Sequence, residues 1–325
     1  MTKRDENTFD FLTGREGDYM ESIIKEIAER PWAKPLVNDI NANGGLKGEN
    51  KAKLFELRFG HALHKAGAEP RYEIAGEAHS TLDFGFDVGG REYLIEMMRL
   101  EETAAVKAAT TTEEFGDGAV LVKRTLTSTG KDPKQSEEGE TLKAIERICQ
   151  KFEADGKPHK FPPIGAATHI LLVDMRTFLN GGDKADRMHI AVDGKQVPPV
   201  FRRYWGKEDD RKLITGVFST ETKLRGATEA RERLHFIGFV NEKTYEDGAI
   251  GASIQFVGNP NIFRTPEEAR DALKGWPLGE PIILNAPKKP IDLPRLAGTL
   301  SNLTVRESAE LATLLKEKWK QPGGH

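Results

Sequence analysis

One cysteine, Cys149, is all the thiol chemistry that 325 residues offer. A single thiol permits no intramolecular disulfide and no cysteine-built zinc site within one chain, which fits a reducing compartment. Long apolar runs are missing as well. No stretch approaches the roughly 18 consecutive apolar residues of a membrane span, and the opening MTKRDENTFDFL lacks the apolar core of a secretory leader. The expectation is a soluble, cytoplasmic protein. An excess of positive charge is also absent. The formal net charge is −3 at pH 7, so a nucleic-acid partner has to be met by a local patch and not by the whole surface. There is no internal repeat, no P-loop, no G-x-S-x-G and no dinucleotide fingerprint at a strand-to-helix turn. The histidines have no metal-ligand spacing: His61 and His64 share a helix face without a third partner.

What is present is a polar but foldable composition, 38% hydrophobic and 30% charged. The length suits one large domain or two small ones. No linker interrupts the chain, which favours one elaborated domain. Helical spacing of Met20, Ile23, Ile24 and Ile27 predicts a helix over 17–30, stopped by Pro31. The Pro-, Asn- and Gly-rich 31–50 reads as loop. Residues 49–65 form a second amphipathic helix through Leu54, Phe55, Phe59 and Leu63, with Gly67 as its C-cap. The period then changes from helix to strand. Residues 71–74 suit a short strand, and TLDFGFDV (81–88) alternates, with Leu82, Phe84, Phe86 and Val88 expected on one face. Gly89–Gly90 is a hairpin turn signal, and 92–100 is the returning strand. Residues 101–116 read as partly helical, 124–139 as loop, 140–154 as helix and THILLVDM (168–175) as a strand buried on both faces. Beyond that, strands are expected at 234–240 and 252–257, and helices at 265–273 and 305–319. The loop-rich 181–230 includes GGDKAD, read as a loop signal only.

One arrangement in this pattern can carry chemistry. Glu56 lies on the second helix, Asp83 on the first hairpin strand and Glu96 on the second, 13 residues after Asp83. A hairpin closing at Gly89–Gly90 lets the two strand positions approach each other. Mg²⁺ prefers oxygen ligands, commonly one or two carboxylates completed by water and phosphate oxygens. Two strand-borne acids are a suitable holder for it. Each acid also has a plainer reading. Glu56 suits a solvated helix face, Asp83 and Asp87 a wet sheet face, and Glu96 a salt bridge. A carboxylate inside LIEMM is nevertheless costly without a partner.

The order KLFELRFGHALHKAG, STLDFGFDVGGREYLIEMMRL, TLKAIERICQKF, THILLVDM resembles the PD-(D/E)XK, or restriction endonuclease-like, nuclease superfamily. The resemblance implies an α/β fold: a central mixed sheet flanked by helices, in α-β-hairpin-α-β order over about 45–178, with a C-terminal α/β extension over about 179–325. It matches Glu56 to the helix glutamate, Asp83 to the motif aspartate and Glu96 to the motif glutamate. It thereby implies Asp83 and Glu96 as ligands of Mg²⁺, or of Mn²⁺ in its place. The motif proline falls on Leu82 and the motif lysine on Met98. That lysine orients or activates the attacking water in the family, and methionine brings neither charge nor hydrogen-bond donor. Either a cation arrives from elsewhere or catalysis is lost. Lys143, Arg147 and Lys151, spaced four apart on the next helix, are the candidate replacements, Lys143 and Lys151 foremost. Arg99 is expected to point to the opposite face, and Asp174 to be structural, pairing with Arg176 or capping a turn.

The expected activity is metal-dependent hydrolysis of DNA phosphodiesters. The alternative is an inactive, nuclease-like protein that binds nucleic acid or a partner, and a third is an unrelated α/β enzyme whose hairpin acids are structural. The best nucleic-acid patch is FRRYWGK, where Arg202, Arg203, Trp205 and Lys207 combine phosphate contact with stacking. Its plain reading is an aromatic cluster tying a loop to the core. A homodimer is compatible with all of these readings.

Overall fold

A computed structural model describes residues 14–77, 80–114, 120–124, 136–152, 160–196 and 213–285. In chain order the helices are α1 (Gly14–Ile27), α2 (Lys34–Ala42), α3 (Lys51–Lys65), α4 (Ala104–Ala108), α5 (Glu137–Phe152), α6 (Lys184–Met188), α7 (Arg225–Arg233), α8 (Ala249–Ser253) and α9 (Pro266–Ala272). The strands are β1 (Arg71–Ala75), β2 (Thr81–Val88), β3 (Arg91–Arg99), β4 (Thr110–Glu114), β5 (Val120–Arg124), β6 (Thr168–Asp174), β7 (Lys195–Gln196), β8 (Leu213–Ile214), β9 (Phe236–Val240), β10 (Ile254–Gly258) and β11 (Ile282–Ile283).

Seven strands form one mixed sheet in the order β1-β2-β3-β6-β9-β10-β11. Its centre, β3-β6-β9, is parallel, and the β2–β3 hairpin is antiparallel with Phe84 opposite Ile95 and Val88 opposite Arg91. Every residue of β6 and β9 is buried, as the near-continuous apolar run of 168–174 requires. Two apolar cores flank the sheet. One joins α1, α2, α3 and α9 to Phe84, Phe86, Tyr93, Ile95 and Met97. The other joins α5 and α7 to Leu82, Leu94, Leu171 and Val173. The result is a helix–sheet–helix sandwich, the α/β class expected. α3 lies close against its layer because of Gly60, where an added Cβ would come within 2.5 Å of the Trp32 ring and 3.1 Å of Phe84.

Three expectations need correction. Residues 34–42 are helix and not loop. Pro35 sits in the first turn of α2, where its missing N–H breaks no bond, and Leu36, Val37 and Ile40 are buried. The carbonyls near its end are taken by the Asn50 amide, which donates to Ile40, Asn43 and Gly45 oxygens. The 101–116 stretch is partly helical as expected, in the turn of α4 capped by Thr103, and its Thr110–Glu114 form β4, which pairs antiparallel with β5. The 181–230 stretch contains α6, a π-helical turn over His189–Asp193, and α7. The GGDKAD segment is a helix start, since Asp183 and Asp186 form a reciprocal capping box. Residues 125–135, the FRRYWGK patch with Arg202, Arg203, Trp205 and Lys207, and the helix expected at 305–319 all lie outside the described residues.

The alternation expected along β2 fails at one end. Phe84 and Phe86 belong to the α3-side core, but Leu82 belongs to the α5-side core. Its neighbour β1 switches in the same place: Tyr72 packs on one side and Ile74 on the other. The register is continuous, Tyr72 opposite Phe84 and Ile74 opposite Leu82. The residue between them on β1, Glu73, has φ +50°, a left-handed conformation costing on the order of 1–3 kcal/mol outside glycine. The pleat is therefore broken at Glu73 and Asp83, which frees the Asp83 side chain from ordinary alternation.

Candidate active site

The break in the pleat positions Asp83. Its Oδ2 accepts a hydrogen bond from the Met97 backbone N–H at 2.6 Å. The β2 side chain thus takes a β3 donor just beyond the last backbone pair, Phe84 with Ile95. The carboxylate is held in the plane of the hairpin, beside β3, where Glu96 lies. Glu96 is completely buried. Leu94 and Met98, its neighbours two residues away, pack in or against the α5-side core, so its side chain is directed toward α5.

Such a carboxylate requires cations, because desolvation costs several kcal/mol when uncompensated. Two supply the charge. Lys151 Nζ, from the last turn of α5, lies 2.8 Å from Glu96 Oε1, and Lys160 Nζ lies 2.5 Å from the same oxygen. Among the described residues, Glu96 Oε2 is buried with no hydrogen-bond partner. Met98 packs against the α5-side core, so the positive charge missing at that position is delivered from the helix and from the segment before β6. Lys151 is expected there from its place on α5; Lys160 is not. In sequence, Pro158–Pro163 only breaks the preceding helix, and what makes Lys160 specific is tertiary. Its carbonyl accepts from the Glu77 backbone N–H at 3.1 Å and from Ser80 Oγ at 3.5 Å. Gly76 lies so close that a Cβ there would approach that carbonyl to 2.6 Å.

The other two basic residues on that face of α5 go elsewhere. Lys143 pairs with Glu146, and Arg147 donates to the Glu101 carbonyl. Lys143 is therefore not brought to Glu96. Arg99 turns to Glu101, Thr177 and Asp174, and Asp174 also accepts from the Arg176 backbone N–H at 2.9 Å. His61 pairs with Glu26 and His64 with Glu69.

Glu56 enters from α3. It is buried, and its Oε2 accepts from Tyr72 OH at 2.7 Å and Lys53 Nζ at 3.2 Å. Neither Tyr72 nor Lys53 stands out in the sequence; the i,i+3 spacing of Lys53 and Glu56 is the only signal for either. The charges respond to one another. Burial first, then the Glu96 and Glu56 charges, push Asp83 up from its ordinary value of 3.8 to about 7, against Lys151 and the Met97 hydrogen bond. Burial raises Glu56, opposed by Lys53 and Tyr72. Burial alone would lower Lys151, but Glu96, Asp83 and Glu56 hold it above the ordinary lysine value. At neutral pH Lys151 is thus a fixed cation and Asp83 is poised between its two forms.

Among the described residues no group of three or more histidine, cysteine, aspartate or glutamate side chains closes on a metal position. A closed cage is not what Mg²⁺ needs, since one or two carboxylates with water and substrate oxygens suffice. Asp83 and the Oε2 of Glu96, which has no hydrogen-bond partner among the described residues, are oxygen donors of the kind such a two-carboxylate site uses. A cavity of about 600 Å³ opens elsewhere, between the C-terminal half of α3 and the 247–254 and 277–282 segments, and none of Glu56, Asp83 or Glu96 lines it. No helix among the described residues is long and apolar enough to cross a membrane. Comparisons with protein-family models, curated proteins and solved structures give no match for this chain.

Proposed function

We propose that this protein is a metal-dependent phosphodiesterase acting on DNA, with a restriction endonuclease-like core of the PD-(D/E)XK kind. The observation that carries the reading is the pair of lysine nitrogens on Glu96 Oε1. They place positive charge beside the hairpin acids although the expected lysine position is Met98.

Asp83 and Glu96 Oε2 would hold Mg²⁺ or Mn²⁺. When bound, the ion supplies Lewis-acid polarisation of the phosphate and a water of lowered pKa. The chain's own groups do the rest. Lys151 and Lys160 settle the attacking water and offset charge developing on the phosphoryl oxygens. Glu56 accepts the proton that the water gives up. The new bond is water oxygen to phosphorus, the bond broken is phosphorus to ester oxygen, and the leaving oxygen takes its proton from solvent. A site set apart from the 600 Å³ cavity suits a polymer better than a small metabolite.

The test is cleavage of linear, supercoiled and single-stranded DNA with Mg²⁺ or Mn²⁺, with Glu96→Ala alongside. Metal-dependent cleavage that Glu96→Ala abolishes is the expected result, and activity surviving Glu96→Ala refutes the site. The packing of Met98 against apolar neighbours favours a second reading, an inactive nuclease-like protein that binds nucleic acid or a partner. Absence of both cleavage and calorimetric metal binding selects it.

A further inference from the structure

We propose that Lys53 and Tyr72 are positioning residues for Glu56: they hold one of its carboxylate oxygens and leave the other as the acceptor of the proton from the attacking water. The inference rests on the hydrolytic reading above and adds two residues to it.

The geometry separates the two oxygens. Tyr72 OH and Lys53 Nζ both bond Oε2, at 2.7 and 3.2 Å, and are themselves 3.1 Å apart. Among the described residues no donor reaches Oε1. The holders come from different elements. Lys53 stands one turn before Glu56 on α3, and Tyr72 reaches across from β1, its ring packed 5.2 Å from that of Phe84. A carboxylate held from two directions has little rotational freedom, which general-base catalysis requires of its acceptor. Burial and the Glu56 charge push the Tyr72 phenol far up, so Tyr72 remains a donor at all working pH. Asp39, 3.9 Å from Lys53 Nζ, steadies the lysine from its outer side.

A purely structural role for the trio is the rival account. Against it, Tyr72 and Lys53 come from different elements, a strand and a helix, yet converge on the same Glu56 oxygen, and the Glu56 charge contributes to raising both Asp83 and Lys151. A buried charged trio is also a poor way to stabilise a helix compared with apolar packing. Tyr72 leads into Glu73, the residue with the left-handed backbone, so β1 is shaped at the position that delivers the phenol.

The experiment is steady-state cleavage of linear DNA with Mg²⁺ by the full chain and by Tyr72→Phe, Lys53→Met, Lys53→Arg, Glu56→Gln and the Tyr72→Phe/Glu56→Gln double variant, each checked by thermal melting. Tyr72→Phe is expected to lower kcat about 10- to 100-fold, the size of a misplaced catalytic group, with KM essentially unchanged. Lys53→Met should do the same and Lys53→Arg should recover part of the loss. The double variant should be no slower than Glu56→Gln, because the donors act only through Glu56. Wild-type kcat in Tyr72→Phe, or multiplicative losses in the double variant, overturns the proposal while leaving the hydrolytic reading intact. A wild-type chain that cleaves no DNA with either ion overturns both. Should Tyr72→Phe fail to fold, the partly exposed Lys53 carries the same comparison through its Met and Arg variants.

Discussion

Asp83→Asn should make the protein more stable at pH 8 while abolishing its proposed reaction. The carboxyl of Asp83 is raised from 3.8 to about 7, chiefly by burial and then by Glu96 and Glu56. The folded state therefore binds a proton more tightly than the unfolded chain. Between about pH 3.8 and pH 7 stability increases as pH falls, and above pH 7 the ionised side chain is a standing cost. At about 1.36 kcal/mol for each tenfold change in proton affinity, the rise from 3.8 to about 7 makes that cost on the order of 4 kcal/mol. Asparagine removes the charge and keeps an oxygen for the Met97 N–H.

Thermal melting in matched buffers is the assay. With about 2–4 °C per kcal/mol, Asp83→Asn should melt several degrees above wild type at pH 8, and the gain should shrink toward zero at pH 5, where Asp83 is already protonated in the fold. Mg²⁺ in the millimolar range should raise the wild-type midpoint at pH 8 by binding the folded state and should leave the variant unmoved. A variant destabilised equally at both pH values would refute the argument, because it would mean that the carboxylate is a net stabilising partner and not a strained one.

The other predictions concern charge, backbone and a second titration. Lys151→Met and Lys160→Met should each cost less in urea unfolding than the roughly 3–5 kcal/mol of a broken buried pair, since the remaining lysine still serves Glu96 Oε1. The double variant should lose more than the two single losses combined. Gly76→Ala should cut cleavage with a smaller effect on stability, because the new Cβ presses on the Lys160 carbonyl; unchanged kcat would count against Lys160. Glu73→Gly should melt no lower than wild type, whereas Glu73→Val should melt lower, since only glycine relieves φ +50°. His235 is lowered from 6.5 to about 4 by burial and by the His169 and Arg91 charges. Its contribution is opposite in sign to that of Asp83: stability is lost as pH falls from about 6.5 to 4, by on the order of 3 kcal/mol. An NMR titration of its ring with a midpoint above about 6, near the unperturbed histidine value, would refute this.

The extent to which the chain is legible from its sequence follows the range of the forces involved. The hairpin is legible because period-two patterning and Gly89–Gly90 are local signals. Glu96 is legible because a lone carboxylate in LIEMM contradicts its surroundings. Lys151 follows from four-residue spacing on α5, yet the same spacing offers Lys143, which turns to Glu146 instead. Helical periodicity defines a face but not which turn of it meets a given strand residue. Lys160 and Tyr72 carry no local mark and Lys53 only its i,i+3 spacing to Glu56, because their roles depend on β1, the β1–β2 turn and α3 converging. The break in the β2 pleat is hidden for a related reason. Leu82 keeps the apolar alternation in sequence, and only the backbone of Glu73 on the neighbouring strand sends it to the other core.

These features bear on why a methionine at position 98 is compatible with a charged centre. In β3, positions 94 and 98 are packed with the α5-side core, so a lysine at 98 would have to emerge between α5 and the sheet. Methionine fills that space without a charge to satisfy. The charge is brought instead by Lys151 at the end of α5 and by Lys160 ahead of β6, both with side chains that remain partly exposed. Partial exposure costs less desolvation than a lysine rooted in the sheet. Met98→Lys should therefore not improve the proposed activity. It should crowd the α5-side core, lower the melting temperature and leave kcat at or below the wild-type value. A Met98→Lys variant that melts at the wild-type temperature and cleaves faster would show that the sheet position was merely vacant.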